Sequence, residues 1–380
     1  MRVEQSISIG DEGWHRVGAE ELEREADLVL VFGDRHELEN GDAVKEVRER
    51  HPEAVMIGCS TAGEISGTRV TDGAVVSTAV CFEATRLGSA QVLVKAPEDS
   101  RDAGRRLARA IDHRGLVHAF VLSDGLNVNG SELVHGLSEA LPAGVTVTGG
   151  LSGDAGDFER TLVVWGDELL ASHVVIIGFY GERLRVGYGS LGGWDPFGPE
   201  RMITRSAGNV LYELDNTSAL DLYKTYLGEQ AAGLPATGLL FPLALRAGAE
   251  TDEAVVRTIL GVDESAQSMT FAGDVPEGSR ARLMKANFDR LIDGAVGAAR
   301  TSHQAMQGSS PDLAILISCV GRKMVLKQRV EEEVEGVRQI VGDDAVLTGF
   351  YSYGEISPFT PSARCELHNQ TMTITTLSEV

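Results

Sequence analysis

Arg322, Tyr351, Tyr353 and Glu355 are residues whose types and spacing suit the capture of a small polar molecule. A guanidinium offers a carboxylate a two-point fork. A carboxylate holds an ammonium group, and aromatic side chains wall off water. Three of the four belong to one run, Gly349-Phe350-Tyr351-Ser352-Tyr353-Gly354-Glu355-Ile356-Ser357. The chain carries a near-copy, Gly58-Cys59-Ser60-Thr61-Ala62-Gly63-Glu64-Ile65-Ser66. Cys59, Ser60, Thr61 and Glu64 therefore occupy matching places and join the candidate binding residues. A looser third turn, Gly149-Gly150-Leu151-Ser152-Gly153-Asp154, adds Asp154. The ligand expected from these groups is an amino acid or a similar small molecule.

Each candidate also has a plainer reading. Flanked by glycines, Glu64 and Glu355 could accept backbone N–H groups and lock their turns. Their repetition while neighbouring residues diverge favours that scaffold role, which makes the diverged positions the better ligand candidates. Arg322 reads equally as an ion-pair residue. Trp194, in the Gly-rich run 187–198, reads as core packing or as a ligand contact. That run contains Gly187, Gly189 and Gly192 in dinucleotide-binding spacing, but Gly193-Trp194-Asp195-Pro196 cannot begin the helix such a site needs, so a sharp connection is expected there.

Enzyme signatures are missing. The sequence has no H-E-x-x-H, no P-loop and no G-x-S-x-G, and no catalysis is expected. Cys59 has no His nearby in sequence to activate it, and the histidines show no metal-ligand spacing.

The elements that would position these residues are β-α-β units. An apolar run at Asp27–Gly33, a polar helical stretch over 37–51 and a second apolar run lead to the first motif. Asp312–Cys319 and a helical stretch over 323–341 lead to the second, and His118–Asp124 with a helix over 132–141 leads to the third. Such units pair their strands in parallel with a right-handed crossover, and ligands bind beyond the carboxyl ends of those strands. Alternating stretches such as 70–83 add antiparallel strands. A helix over 217–227 capped by Asn216 or Thr217, and another over 287–306, follow a boundary near 211–216. The expected fold is α/β, in two halves with duplicated β-α-β units and mixed sheets with additional antiparallel strands, spanning 27–215 and 216–380.

Composition sets the class. The chain has 380 residues, 43% hydrophobic and 24% charged, as in ordinary globular proteins. No apolar run is long enough to span a membrane, and no signal peptide is expected at the start. Four scattered cysteines suit a reducing cytoplasm. A net charge of −22 disfavours nucleic acid and anionic lipid as partners.

The motifs resemble a known family. Gly58–Ile65 is similar to the signature of the FIST N-terminal domain. Ser318–Arg322, Gly349–Ile356 and Leu367–Thr371 resemble the FIST C-terminal domain. The resemblance implies a cytoplasmic sensory module of bacterial signal transduction that binds a small ligand and signals through a separate protein partner, such as a histidine kinase. It also implies the alternative of a haem-binding nitric oxide sensor. Haem needs only one axial ligand, so His368, His135 and His173 are the candidates for it; otherwise no cofactor is expected. A homodimer is compatible with this reading.

Overall fold

In the computed structural model, residues 1–18, 21–246, 254–358 and 364–380 are described. Three β-α-β units organise the chain, the three that the motifs led to expect. Leu28–Gly33 runs parallel to Val55–Ser60, Leu116–Ser123 to Thr146–Leu151, and Leu313–Cys319 to Val346–Ser352. The third motif is thus a full member of the set. The first and last crossovers are each broken where one helix was expected. Arg35–Asn40 ends at Gly41, and Ala43–Arg50 follows. Val320–Leu326 stops at Lys327, whose φ of 53° is left-handed, and Val330–Val341 resumes the crossover after a 3-10 turn. The middle unit has one helix, Gly130–Ala140.

Each first strand is flanked by an antiparallel neighbour: Ala74–Cys81, His173–Tyr180 or Met372–Glu379. These pair in turn with Arg2–Ile9, Arg86–Leu93 and Leu184–Leu191. The last of these corrects the sequence reading, because part of the Gly-rich run 187–198 is strand rather than connection. After its second strand, each unit then leaves its own sheet. Glu64–Ser66 joins Val346–Ser352, Gly354–Pro358 joins Thr146–Leu151, and Val163–Trp165 joins Val55–Ser60. In chain order, the exchange runs from the first unit to the last, from the last to the middle one, and from the middle one back to the first.

The sheets meet on a shared core that includes Phe32, Phe120, Ile315, Ile317 and Phe350. Alternate residues face the other way, as period-two strands require. Val29 and Val31 pack with Val44 and Val47, and the other two sheets are covered by the helices Ser100–Ala110, Gly130–Ala140, Phe288–Ala305 and Val330–Val341. The repeated glycine has a steric cause. A Cβ on Gly58, Gly149 or Gly349 would stand 1.8 Å from the carbonyl oxygen of its cross-strand partner, Val31, Val121 or Leu316.

Between Leu184–Leu191 and Phe288–Ala305 the chain inserts an eight-stranded sheet, whose strand pairs are antiparallel. It has a core of its own, with Ile203, Leu211, Leu220, Tyr223 and Phe271. Its helix, Ala219–Leu227, is capped by Ser218, which accepts a hydrogen bond from Asp221 N at 3.2 Å, rather than by Asn216 or Thr217. The division expected at 215/216 falls inside this sheet, in the turn joining Val210–Leu214 to Thr217–Ser218. Among the described residues, no helix is long and apolar enough to cross a membrane.

Candidate functional site

The two repeated carboxylates are built alike. Glu64 Oε1 accepts from Thr61 Oγ1 at 2.5 Å and its Oε2 from Ala74 N at 3.2 Å. Glu355 Oε1 accepts from Ser352 Oγ at 2.6 Å, and its Oε2 from Thr371 Oγ1 and N at 2.8 and 3.2 Å. Both side chains are buried, and burial pushes each carboxyl up to about 8 against the pull of these hydrogen bonds. Of the two readings offered by the sequence, this geometry matches the turn-locking one. Ser60 is likewise spent on backbone, its Oγ accepting from Leu162 N at 2.9 Å. Cys59 lies in the shared core, and burial raises its thiol well above the ordinary value.

Arg322 and Tyr351 do not present themselves to a ligand. Both are fully buried around Glu333, a residue that no motif or spacing singles out. Arg322 Nη2 and Nε donate to Glu333 Oε2 at 2.7 and 3.2 Å, while Tyr351 OH and Ser318 Oγ donate to Oε1 at 2.7 and 3.0 Å. The remaining Arg322 donors reach the carbonyls of Gly192 at 2.5 Å and Leu291 at 2.7 Å. The fork expected to hold a ligand carboxylate therefore holds Glu333, because desolvating a guanidinium requires a carboxylate and carbonyls at its N–H groups. Trp194 is a core residue beside Leu291, Val325 and Leu326, with Nε1 donating to Gln370 O at 2.9 Å. Asp154 locks its own turn, accepting from the backbone N–H groups of Phe158, Glu159 and Arg160 at 2.8–3.0 Å and from the Tyr353 hydroxyl.

Of the ten expected binding residues, Tyr353 lines a cavity. This cavity, of about 290 Å³, lies between the carboxyl ends of the core strands and the inserted sheet. The core contributes Leu126, Asn129, Leu151, Gly321 and Tyr353; the inserted sheet contributes Thr258, Leu260, Phe271 and Asp274. Phe158, which also lines it, stacks on Tyr353 with centroids 4.5 Å apart and planes 12° apart. Two hydrogen bonds tie the inserted sheet to the core here: Asn129 Nδ2 to Asp274 Oδ1 at 3.2 Å, and Arg257 Nη1 to Leu367 O at 2.9 Å. Asn129 Oδ1 also caps the helix Gly130–Ala140 by accepting from Glu132 N at 3.1 Å. The sequence does carry a signal for Asn129, an Asn with Glu three residues later, which is a helix-start pattern. The inserted-sheet residues carry no comparable signal, since nothing local says that Thr258 and Asp274 face the core.

The three haem candidates do not build a haem site. His368 is buried with Nε2 at 2.7 Å from Ser357 O, and burial lowers it to about 4. His173 Nδ1 lies 2.7 Å from Ala171 O. His135 borders a separate groove of about 870 Å³, but that groove also holds Glu132, Glu139 and Glu366, and Glu132 is 3.2 Å from the His135 ring. None of the three borders the apolar cavity. Among the described residues, no group of three His, Cys, Asp or Glu side chains could hold a metal ion.

Comparison with known proteins places the chain. It is 24% identical to the uncharacterized protein MJ1623 of Methanocaldococcus jannaschii, over 93% of this chain and 73% of that one. Its similarity to the crystal structure of a cyanuric acid hydrolase from A. caulinodans covers 78% of this chain and 99% of that one, at 11% identity and a TM-score of 0.18, too slight to bear on fold or function. The FIST N domain matches residues 27–217 and the FIST C domain residues 219–358. Matched by both domains over most of its length, the chain belongs to the FIST family, whose domains are sensory domains of signal transduction rather than catalytic ones.

Proposed function

We propose that this protein senses a small organic ligand in the cavity between the three-unit core and the inserted sheet, and passes the signal to a separate protein partner such as a histidine kinase. The observation that carries the reading is the position of the cavity. It gathers an aromatic stack, apolar walls and a few polar groups beyond the carboxyl ends of parallel strands, where α/β proteins bind ligands. Both sides of the cavity are needed to form it, so a ligand touching Tyr353 and Phe271 together favours one arrangement of the two over others. Its volume is at the small end for ligand sites, which suits a metabolite about the size of an amino acid. The four free cysteines suit work in a reducing cytoplasm.

A thermal-shift screen with the twenty amino acids, polyamines, nucleotides and haemin tests this, run on the natural chain and on Ala272→Phe, which fills the cavity. A ligand at about a hundred times its dissociation constant adds roughly 2.7 kcal/mol to stability. The expected result is a shift in the natural chain that Ala272→Phe abolishes while its circular dichroism is retained. A shift that survives in Ala272→Phe places the ligand elsewhere. A Soret band with haemin would replace this reading by the haem alternative.

A further inference from the structure

The cavity carries a one-sided charge. Among the described residues, Asp274 is the carboxylate in its wall, and no lysine, arginine or histidine lines it. Asp274 Oδ1 accepts from Asn129 Nδ2, while its Oδ2 accepts no hydrogen bond from a described residue. The nearest guanidinium, Arg257, sits behind Gly273, where a Cβ would meet its Nε at 2.9 Å. Arg257 is buried, and it donates to the carbonyls of Asp274 at 3.0 Å and Leu367 at 2.9 Å. It therefore offsets part of the local charge but offers no fork to a ligand. The N-terminus of the helix Gly130–Ala140 also reaches the wall, but Asn129 caps it. Arg322, the group a ligand carboxylate would have needed, is spent on Glu333.

A second, independent observation points to a polar ligand. Thr258 lines the cavity, is 5% exposed, and its Oγ1 has no hydrogen-bond partner among the described residues. A buried hydroxyl without a partner is costly, and a ligand that supplies one recovers that cost. The rest of the wall, including Leu126, Leu151, Phe271 and the ring of Tyr353, suits an apolar body, and the aromatic faces tolerate a cation.

Resting on the ligand-site reading above, we propose that the cavity selects an organic amine: a primary ammonium group held by Asp274, on an apolar body packed against Phe271 and Tyr353, with Thr258 as a further polar contact. An amino acid would bring the same ammonium together with a carboxylate for which the wall has no cation, so the selectivity runs toward the amine and away from the zwitterion.

Calorimetric titration with matched compounds tests this. The probes are butylamine, butanol, butyrate and norvaline, then benzylamine, benzyl alcohol, benzoate and phenylglycine. The expected result is that an amine binds at least about tenfold more tightly than its matched acid, alcohol and amino acid. Asp274→Asn should lower amine affinity by about tenfold or more and leave alcohol affinity unchanged. Amino acids or acids binding as tightly as amines, or an Asp274→Asn variant that binds amines normally, would overturn the proposal. Binding lost in Ala272→Phe but indifferent to the amine keeps the ligand site and rejects the amine. Binding indifferent to Ala272→Phe rejects the site itself, and no binding by any probe rejects both.

Discussion

Arg322 and Glu333 form a fully buried ion pair, with Nη2 2.7 Å from Oε2 and neither side chain exposed. The pair joins the two helices of the last crossover to the strand carrying Tyr351, and through Gly192 and Leu291 to the start of the inserted segment and the helix after it. Its position just after the strand ending at Cys319 made Arg322 look like a ligand group; its partners make it a fastener.

Breaking that pair leaves an uncompensated buried charge. Arg322→Ala and Glu333→Ala should each cost about 3–5 kcal/mol, read as a lower urea midpoint. Arg322→Lys should recover little, since an ammonium cannot reproduce the fork. The double replacement Arg322→Met, Glu333→Leu should be milder than either alanine variant. Single variants that unfold like the natural chain would show that the pair contributes nothing.

The three glycines make a set with a control. Gly58→Ala, Gly149→Ala and Gly349→Ala each push a methyl into a partner carbonyl 1.8 Å away and should each destabilise by about 1–3 kcal/mol or more. Gly261→Ala, on an open strand position with nothing within 4 Å, should be close to neutral. Thermal midpoints that fail to separate the three from the one would remove the steric explanation of the repeat.

Glu64 and Glu355 predict how stability changes with pH. Their folded carboxyls titrate at about 8, against 4.5 for an ordinary glutamate. Below pH 4.5 both states are protonated and the contribution is fully present. Between 4.5 and 8 the unfolded chain ionises and the folded one does not, so stability falls as pH rises, with a limiting slope of about 1.4 kcal/mol per pH unit for each group. Glu64→Gln and Glu355→Gln mimic the neutral acid and should each flatten that slope. Urea midpoints measured across this window decide it; equal slopes in the variants would assign the pH dependence to other groups.

Asn129 separates two roles by substitution. Asn129→Ser keeps an N-cap but loses the bond to Asp274, whereas Asn129→Ala loses both. The alanine variant should be less stable than the serine variant by about 1 kcal/mol. Hydrogen exchange near 272–274 should rise in both. Exchange unchanged in both would mean that the bond to Asp274 does not hold the inserted sheet in place.

Much of the core was legible. Short continuous apolar runs located the parallel strands, because those strands are buried on both faces and leave an apolar signature at each end of a crossover. The Gly-Glu-Ile-Ser repeat pointed to equivalent turns for a sound reason, the shared construction of Glu64 and Glu355. Two things were illegible. The exchange of hairpins depends on pairings between residues as far apart as Ile65 and Gly349, for which local pattern holds no information. The cavity depends on Thr258 and Asp274, which approach Asn129 only after an inserted sheet folds back over the strand ends. Arg322 misled because a guanidinium beside a binding-like motif reads the same whether its carboxylate comes from a ligand or from Glu333.

The exchange of hairpins has a consequence for how the chain can come apart. A fragment ending at residue 217 would contain Glu64–Ser66 without the strand it lies against, and Thr146–Leu151 without Gly354–Pro358. The two sequence domains are therefore successive stretches of one interlaced body, neither of which can finish its sheets in the other's absence. Loosening at any one seam weakens the other two, so the core should melt as a single unit, and a strain applied at the cavity, where strand ends from two of the seams converge, is shared around the whole circuit rather than absorbed where it arises.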